Sequence, residues 1–342
     1  MTTMIGLGTR PELIRLFHTV KAVNPDYLFW TGQNFAPNLS TEIIGDPRFE
    51  GVYDDMVMHS TGDAQQFKTQ FGSMLEASMN FMEERKITKL LILGDTNSCL
   101  ALALGARKLG IPIYHMEAGN RCHDRRSPEE TNRRMIDSIA DVHMCYTTFA
   151  KQNLIDEGFP SNTIHVTGNP MAEFSELFKQ DIEQKRQVLI TLHRAENWRY
   201  IDNLKTLFSW LKKEKGLEIV PVLHPRYLEN FQDFNAVPSV NFSDFVQMQQ
   251  ESALIITDSG TVCEEAAMMR KPCLVARRTM ERPELMESGS TILGRMDDPE
   301  MLKKSCEILL SLDTDWEIPE AYLPQKVSQK VQTIFAGGGN FV

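Results

Sequence analysis

The chain has 342 residues, more than a single hydrophobic core usually supports, so we expect two domains. Its 36 Lys and Arg against 46 Asp and Glu give a net charge of −10, which argues against nucleic acid or an anionic membrane as the main partner. An anionic small molecule stays compatible with local clusters of arginine. No apolar run reaches the length of a membrane span, the six cysteines lack metal-ligand spacing, and the start of the chain lacks a secretory signal. We therefore expect a cytoplasmic protein with reduced thiols.

Short apolar runs alternate with helical periodicity along the whole chain, which is typical of a doubly wound α/β protein. In chain order, the first half predicts strands over residues 4–8, 27–30, 90–93, 113–116, 143–146 and 164–166. Helices are predicted between them over residues 11–23, 66–86, 98–109 and 129–139. The second half repeats the pattern, with strands over 188–191, 218–223, 253–257 and 273–275 and helices over 201–213 and 261–269.

Turn residues cluster at 167–170, after the sixth strand, and we place the domain boundary there. The predicted domains are a Rossmann-like domain over 1–168, a second over 169–325 that binds nucleotide, and a helix and tail over 326–342 that return to the first domain. Two such sheets would bring the carboxyl ends of their strands around one interdomain cleft, where ligands bind in these folds. This pattern alone fits glycosyltransferases equally well.

Carboxylates follow the strands of the first domain. Asp95 lies just after the strand at 90–93, Glu117 directly follows the strand at 113–116, and Glu129 stands in the first turn of the next helix. Taken singly, Asp95 fits a helix cap and Glu129 fits an ion pair with Arg133. Three carboxylates converging on one sheet edge are harder to explain in that way. Their mutual repulsion separates their pKa values, which suits general acid and base catalysis.

Two strand-to-helix junctions have the geometry of anion sites, because backbone N–H groups and the helix dipole point at the same place. In the first, at 8–12, Arg10 stands at the mouth of the junction, and a plain turn with a surface arginine fits about as well. In the second, Ser259 and the N–H group of Gly260 are suited to a diphosphate. Glu265, about one turn further along, is suited to ribose hydroxyls.

The second domain adds two histidines and a cationic loop. His193 follows the first strand of this domain and fits either a proton donor or phosphate contact or a structural role, with similar weight. His224 ends the next strand, and the pattern favours a structural role for it. The loop at 277–284 carries Arg282; a solvated charge run is the usual interpretation, but its place after a strand end favours ligand binding.

Together these motifs resemble the UDP-N-acetylglucosamine 2-epimerase family. The similar segments occur in family order from Gly8 to Glu284 and are GTRPELIR, LGDTNS, HMEAGNR, SPEETNRR, HVTGNP, TLHRAEN, LHPR, TDSGTVCEEA, KPCLV and TMERPE. The resemblance implies two Rossmann-like domains of the glycosyltransferase-B type, a homodimer, and a UDP-sugar substrate. It also implies elimination of UDP to a glycal and re-addition with inverted C2, with no metal and no nicotinamide cofactor.

The resemblance also implies roles for single residues, which we carry over by position. Asp95, Glu117 and Glu129 would be the catalytic carboxylates, and His193 would help UDP depart. Arg10, Phe245, Ser259, Gly260 and Glu265 would be the nucleotide contacts. We also expect Arg133, His224 and Arg282 to bind substrate or UDP, although the resemblance does not carry these three.

Three departures from the family pattern bear on regulation and substrate. Residues 31–35 lack the His and Arg of members that a second UDP-N-acetylglucosamine activates, so we do not expect that activation here. Thr261 replaces a second glycine after Ser259. HMEAGNRC and SPEETNRR are more similar to the subgroup acting on modified sugars. The substrate stays open among UDP-N-acetylglucosamine, a 6-deoxy sugar and a diacetamido uronic acid, all precursors of surface polysaccharide.

Three rival functions remain. A hydrolysing epimerase would release UDP and the free sugar, but the run Asp95-Thr96-Asn97 is similar to the non-hydrolysing form. A glycosyltransferase would leave C2 untouched and would not need three carboxylates. A catalytically inactive nucleotide-sugar sensor would not need them either.

Overall fold

The computed structural model describes residues 1–33, 49–61, 66–178, 182–238 and 240–337. The chain divides into two compact units, Met1–Glu173 with Pro324–Val342, and Phe174–Leu323. Residues 34 and 35, which end the 31–35 segment considered above for activation by a second substrate molecule, lie outside the described residues. Within the described ranges, no helix combines the length and apolarity that crossing a membrane requires.

The first unit contains a parallel sheet whose seven described strands run in the order β3-β2-β1-β4-β5-β6-β7. These strands are β1 Thr3–Leu7, β2 Tyr27–Trp30, β3 Val57–Met58, β4 Lys89–Leu93, β5 Ile113–Met116, β6 Val142–Cys145 and β7 Ile164–Val166. The helices described in this part of the chain are α1 Arg10–Val23, α2 Phe67–Glu84, α3 Asn97–Lys108, α4 Pro128–Ile139 and α5 Thr148–Asp156.

The second unit contains a smaller parallel sheet, in the order β12-β11-β10-β8-β9 over its described residues. Its strands are β8 Gln187–Leu192, β9 Glu218–Leu223, β10 Leu254–Thr257, β11 Cys273–Val275 and β12 Thr291–Leu293. Its described helices are α6 Ser175–Phe178, α7 Ile201–Lys213, α8 Pro225–Leu228, α9 Phe242–Glu251, α10 Gly260–Met268, α11 Pro283–Glu287 and α12 Pro299–Leu310.

The central strands are continuous apolar runs because helices cover both faces of each sheet. Every residue of β4, β5 and β8 is buried. Polar residues therefore collect where the strands end, and the carboxyl ends of parallel strands share one edge of the sheet. That edge carries the loops described below in each unit.

The last described helix, α13 Val327–Ala336, belongs to the first unit. It buries Val327, Val331 and Phe335 and packs against α1. The Lys89 ammonium, at the start of β4, donates to the carbonyl of Phe335 at 2.7 Å. The first unit is therefore built from both ends of the chain.

The strands predicted from the sequence are all present, and two short ones were missed. β3 has two residues, both exposed, and β12 has three, so neither produces a recognisable apolar run. Helices α5, α9 and α12 were also missed, although the start of α12 carries a clear signal. Asp298 caps it by accepting from Met301 N, and Pro299 is its first residue.

Candidate active site

The loop between β1 and α1 is closed by the side chain of Glu12. Its Oε2 accepts hydrogen bonds from Gly8 N at 2.6 Å and Thr9 N at 3.2 Å, which completes a capping box at the start of α1. A Cβ on Gly8 would lie 2.0 Å from Ser98 Oγ, so only glycine fits there. Arg10 is the first residue of α1 and is partly buried.

Glu12 also connects this loop to the next one along the sheet edge. Thr96 Oγ1 donates to Glu12 Oε1 at 2.8 Å. Burial raises the pKa of Glu12 to about 7, although the hydrogen bonds from Gly8 and Thr96 act in the opposite direction. Glu12 was not predicted as a site residue from the sequence, although the spacing of Thr9 and Glu12, which is that of a capping box, was an available signal.

Asp95 lies after β4 and is partly exposed. Arg133 Nη2, on α4, is 2.6 Å from Asp95 Oδ2, and Asn132 Nδ2 donates to the carbonyl of Asp95 at 2.9 Å. The start of α4 is thereby attached to the loop of Asp95 by both a side-chain and a backbone contact. Arg133 is buried, so this ion pair is screened less than a surface pair.

Glu117 lies after β5 in the left-handed region, with φ of 68°, which is costly for a residue with a side chain. Arg15 holds this buried carboxylate, with Nη1 at 2.7 Å from Oε2. The same Oε2 is 3.5 Å from where a Cβ on Gly94 would stand. Glu117 therefore approaches the residue that precedes Asp95.

Glu129 lies in the first turn of α4, which Ser127 and Pro128 begin. Ser127 Oγ donates to Glu129 Oε2 at 2.7 Å. Glu129 is partly buried and is three and four residues from Asn132 and Arg133, the side chains that contact the loop of Asp95. Asp95 and Glu117 thus lie in loops of one sheet edge, and Glu129 lies at the start of the helix that contacts the first of these loops.

In the second unit, the buried carboxylate of Asp258 organises His193. Asp258 Oδ1 is 2.7 Å from His193 Nδ1, and the two carboxylate oxygens accept from the backbone N–H groups of His193 and Arg194 and from Asn197 Nδ2. Burial by itself would raise the pKa of Asp258, but the charge and hydrogen bonds of His193 outweigh it and lower the pKa to about 2. Asp258 is thus an ionised partner of a half-exposed imidazole. No role for Asp258 was predicted from the sequence.

His224 is exposed at the end of β9 and caps α8, accepting from Arg226 N at 3.2 Å through Nδ1. Partial burial, followed by the charges of Arg226 and His193, lowers its pKa. The capping contact agrees with the structural role that the sequence pattern favours for His224. Its use as a substrate contact stays a prediction.

Ser259 caps α10, and Gly260 is the first residue of that helix. A Cβ on Gly260 would lie 2.7 Å from Arg282 Nη1, so a glycine is needed for this arginine to approach the helix start. The Arg282 guanidinium is buried and paired with the carboxylates of Glu264 and Glu281. Its positive charge is therefore compensated within the second unit.

Glu265 and Phe245 lie further from the strand ends. Glu265 is buried in α10, where Gln249 Nε2 donates to its Oε2 at 2.6 Å. Phe245 is partly buried on α9 and packs against the apolar cluster of this unit. The predicted residues of the second unit thus fall into two groups, with His193, His224, Ser259, Gly260 and Arg282 nearer the strand ends.

Parallel α/β units with polar loops at their strand ends define a two-domain enzyme of the Rossmann-like class. A family model described as UDP-N-acetylglucosamine 2-epimerase matches residues 22–336. The chain belongs to the UDP-N-acetylglucosamine 2-epimerase family.

Individual relatives agree with this assignment. The chain is 31% identical to a UDP-N-acetylglucosamine 2-epimerase of Methanocaldococcus jannaschii, over 93% of this chain and 95% of that protein. It is 32% identical to a UDP-2,3-diacetamido-2,3-dideoxy-D-glucuronate 2-epimerase of Pseudomonas aeruginosa, over 86% of this chain and 88% of that protein. A crystal structure of the Methanocaldococcus jannaschii enzyme in complex with UDP-GlcNAc and UDP superposes with a TM-score of 0.88. The two sequences are 29% identical, and the match covers 99% of this chain and 100% of that one. The family, the fold class and the isomerase class predicted from the sequence are confirmed.

Proposed function

We propose that this chain interconverts the C2 epimers of a UDP-2-acetamido sugar without releasing the free sugar. A UDP-sugar substrate is supported by the relatives, since the proteins of Methanocaldococcus jannaschii and Pseudomonas aeruginosa are both named as 2-epimerases of such compounds. The further assignments, to single residues and to one sugar, rest on the site geometry and on the sequence.

One observation carries the proposal, the gathering of acidic side chains at one edge of the first sheet. Asp95 and Glu117 follow neighbouring parallel strands, and Glu129 stands at the start of the helix whose Arg133 pairs with Asp95. A site that only binds a nucleotide would not gain from three carboxylates facing a polyphosphate. A reaction that develops positive charge on a sugar ring and moves a proton would gain from them.

The first half of the proposed reaction breaks the bond between C1 and the diphosphate oxygen, and the bonding electrons leave with UDP. Positive charge then builds at C1 and the ring oxygen, where ionised carboxylates stabilise it. A carboxylate takes the C2 proton, and the C2–H electrons form the C1–C2 double bond of a glycal. The second half reverses these steps, with a carboxylic acid delivering a proton to the opposite face of C2 and UDP adding again to C1.

The second unit would keep UDP bound between the first and the second half of the reaction. The N–H groups at the start of α10 and the half-exposed imidazole of His193 suit a departing diphosphate. Asp258 stays ionised and orients the His193 imidazole through Nδ1, which would leave the other ring nitrogen available to the leaving oxygen. Glu265, oriented by Gln249, would accept from the ribose hydroxyls.

We also propose that the chain works as a homodimer in the cytoplasm, as the sequence analysis expects. Sedimentation of the purified protein at micromolar concentration tests the dimer, and cell fractionation tests the location. A monomer that turns over at full rate would remove the dimer from the proposal while leaving the reaction in place.

Proton NMR in D2O tests the reaction directly. The enzyme would be incubated separately with UDP-N-acetylglucosamine, UDP-2-acetamido-2,6-dideoxy-L-talose and UDP-2,3-diacetamido-2,3-dideoxy-D-glucuronate. We expect one of them to exchange C2–H for deuterium and to give a second sugar-nucleotide anomeric signal. Free UDP with free sugar would establish hydrolysis instead, and no change with any of the three would overturn the proposal.

Amide variants test the carboxylates. We expect Asp95→Asn, Glu117→Gln and Glu129→Gln each to lower kcat at least about 100-fold, the scale of general acid–base contributions, while UDP still binds. Glu84→Gln is the control, because Glu84 is an exposed carboxylate of the same unit. A variant with near-normal kcat would remove its residue from the proposed machinery.

A further inference from the structure

Behind the carboxylates lies a buried group that the mechanism above does not use. His115, on β5, and Asp137, on α4, are both buried, and His115 Nδ1 is 2.7 Å from Asp137 Oδ1. His115 Nε2 is 2.9 Å from the carbonyl oxygen of Gly94. Both neighbours are acceptors, so satisfying both contacts requires a proton on each ring nitrogen.

Asp137 contacts the loops of two proposed catalytic residues. Its Oδ1 reaches the loop of Asp95 through His115 and the Gly94 carbonyl. Its Oδ2 accepts from Gly119 N at 3.1 Å, two residues after Glu117. Although burial would raise the pKa of Asp137, hydrogen bonding to His115 and the charges of His115 and Arg121 lower it to about 2, so this carboxylate stays ionised.

A chain of ion pairs continues from Asp137 back to Asp95. Arg121 Nη1 is 2.8 Å from Asp137 Oδ2, and the same guanidinium binds Glu157 through two hydrogen bonds at 2.9 and 2.8 Å. Arg134 joins Glu157 at 2.8 Å to Glu130 at 3.1 Å. Arg133 completes the chain, at 3.2 Å from Glu130 and 2.6 Å from Asp95.

The result is a closed ring that begins and ends at the dipeptide Gly94-Asp95. We call it the ion-pair ring; its members are Asp95, Arg133, Glu130, Arg134, Glu157, Arg121, Asp137 and His115. Charges of opposite sign alternate from Asp95 to Asp137, and most of these side chains are buried, where charges persist only when paired. The ion-pair ring thus connects the loops after β4 and β5 with the side chains of Glu130, Arg133, Arg134 and Asp137 on α4.

We propose that His115 and Asp137 are positioning residues, which fix Asp95 and Glu117 relative to each other through the ring. This inference rests on the proposed function, because it assigns a task to residues behind the proposed catalytic carboxylates. A displacement of about 1 Å of a catalytic group can cost on the order of 100-fold in rate, so loosening these loops is expected to reduce turnover.

His115→Gln is the primary test, with His143→Gln as its matched control. His143 is also buried, stands opposite His115 on the neighbouring strand β6, and contacts the backbone oxygen of Asp137 rather than a catalytic loop. We expect His115→Gln to lower kcat at least about 30-fold with KM and UDP affinity within about threefold. The control should keep kcat within about threefold, even where its thermal midpoint falls.

Asp137→Asn is the second variant, in case His115→Gln does not fold. The amide keeps the shape of the side chain but presents a donor to Gly119 N–H or to Arg121, so kcat should fall as well. Both variants are compared with the wild-type chain by circular dichroism and by C2 deuterium exchange. A purely structural role would lower the thermal midpoint without changing kcat per folded molecule.

The outcomes separate the two levels of the argument. A folded His115→Gln or Asp137→Asn protein with kcat near that of an active wild-type chain would overturn this inference alone. Equal losses of kcat in His115→Gln and His143→Gln would also overturn it, because belonging to the ion-pair ring would then make no difference to turnover. A wild-type chain that exchanges no C2 proton with any UDP-sugar would overturn the proposed function and this inference with it.

Discussion

At the scale of single residues, the carboxylate of Asp258 determines what His193 can do. Four donors after β8 converge on this buried side chain, all of them within 3.0 Å. They keep it ionised, and it holds the imidazole through Nδ1 in return. This carboxylate–histidine arrangement fixes both the tautomer and the direction of the ring.

Asp258→Asn therefore tests the role of His193 without touching the ring itself. Under the proposed function we expect kcat to fall about 100-fold, because the amide no longer holds the His193 imidazole in one tautomer and one orientation. UDP affinity should change by less than about threefold. Asp297→Asn, at an exposed aspartate of the same unit, is the control. A fall in UDP affinity as large as the fall in kcat would contradict a role in the chemical step.

Glu12 offers a test at the same scale through the pH dependence of stability. Its pKa rises from 4.5 to about 7 on folding because the side chain is buried. The sign follows from linkage: the folded protein holds this proton more tightly, so the contribution is fully present below pH 4.5 and is lost as pH rises to about 7. A shift of this size corresponds to about 3 kcal/mol.

Glu12→Gln removes the titration and keeps one acceptor oxygen. We expect the free energy of unfolding of the variant, relative to wild type, to improve by up to about 3 kcal/mol between pH 4.5 and pH 8. Urea unfolding at both pH values measures this difference, and Glu84→Gln is the control with an exposed carboxylate. A difference between variant and wild type that does not change with pH would contradict the raised pKa.

At the scale of elements, the start of α10 combines a glycine with a buried arginine. Gly260→Ala would place a methyl group 2.7 Å from Arg282 Nη1 and 3.1 Å from Glu281 Oε1. Because Arg282 is held by two carboxylates, it cannot move aside without breaking buried ion pairs. We expect UDP affinity to fall at least about 10-fold and stability to decrease, measured by calorimetric titration and thermal unfolding.

Gly72→Ala is the matched control for that substitution. Gly72 lies inside α2, and no heavy atom lies within 4 Å of an added Cβ. Alanine should stabilise this helix by about 1 kcal/mol and leave UDP affinity unchanged. Unaltered UDP binding in Gly260→Ala would mean that the nucleotide does not use this helix start.

The elements also mark what the sequence could predict. β4 and β5 were predictable because both faces of a central parallel strand are apolar, and the carboxylates that follow them were predictable from their place at strand ends. The partners of those carboxylates were not. Thr96 reaches Glu12 across 84 residues and Asp258 reaches His193 across 65, and no local spacing encodes such contacts.

At the scale of the whole molecule, the first unit depends on a helix from the opposite end of the chain. α13 covers α1, and the ring of Phe335 meets Tyr114 edge-on, with centroids 4.9 Å apart. The ammonium of Lys89 binds the last turn of the helix. Stability of the sheet that carries the proposed catalytic carboxylates is therefore coupled to residues beyond the second unit in sequence.

A matched pair of substitutions on α13 tests this coupling. Val331 is fully buried and Gln329 is exposed on the same helix, so Val331→Asp and Gln329→Asp add the same charge to opposite faces. We expect Val331→Asp to destabilise the first unit by at least about 3 kcal/mol, since an unpaired charge must be buried or the helix must detach. Gln329→Asp should change stability by less than about 0.5 kcal/mol.

Hydrogen exchange measures the stability of the two units separately. In Val331→Asp the amides of α1 and β4 should exchange faster while those of β8 and β10 keep their protection. Equal loss of protection in both units would mean that the chain unfolds as one cooperative body, whereas no loss in either would mean that α13 contributes nothing to the sheet it covers.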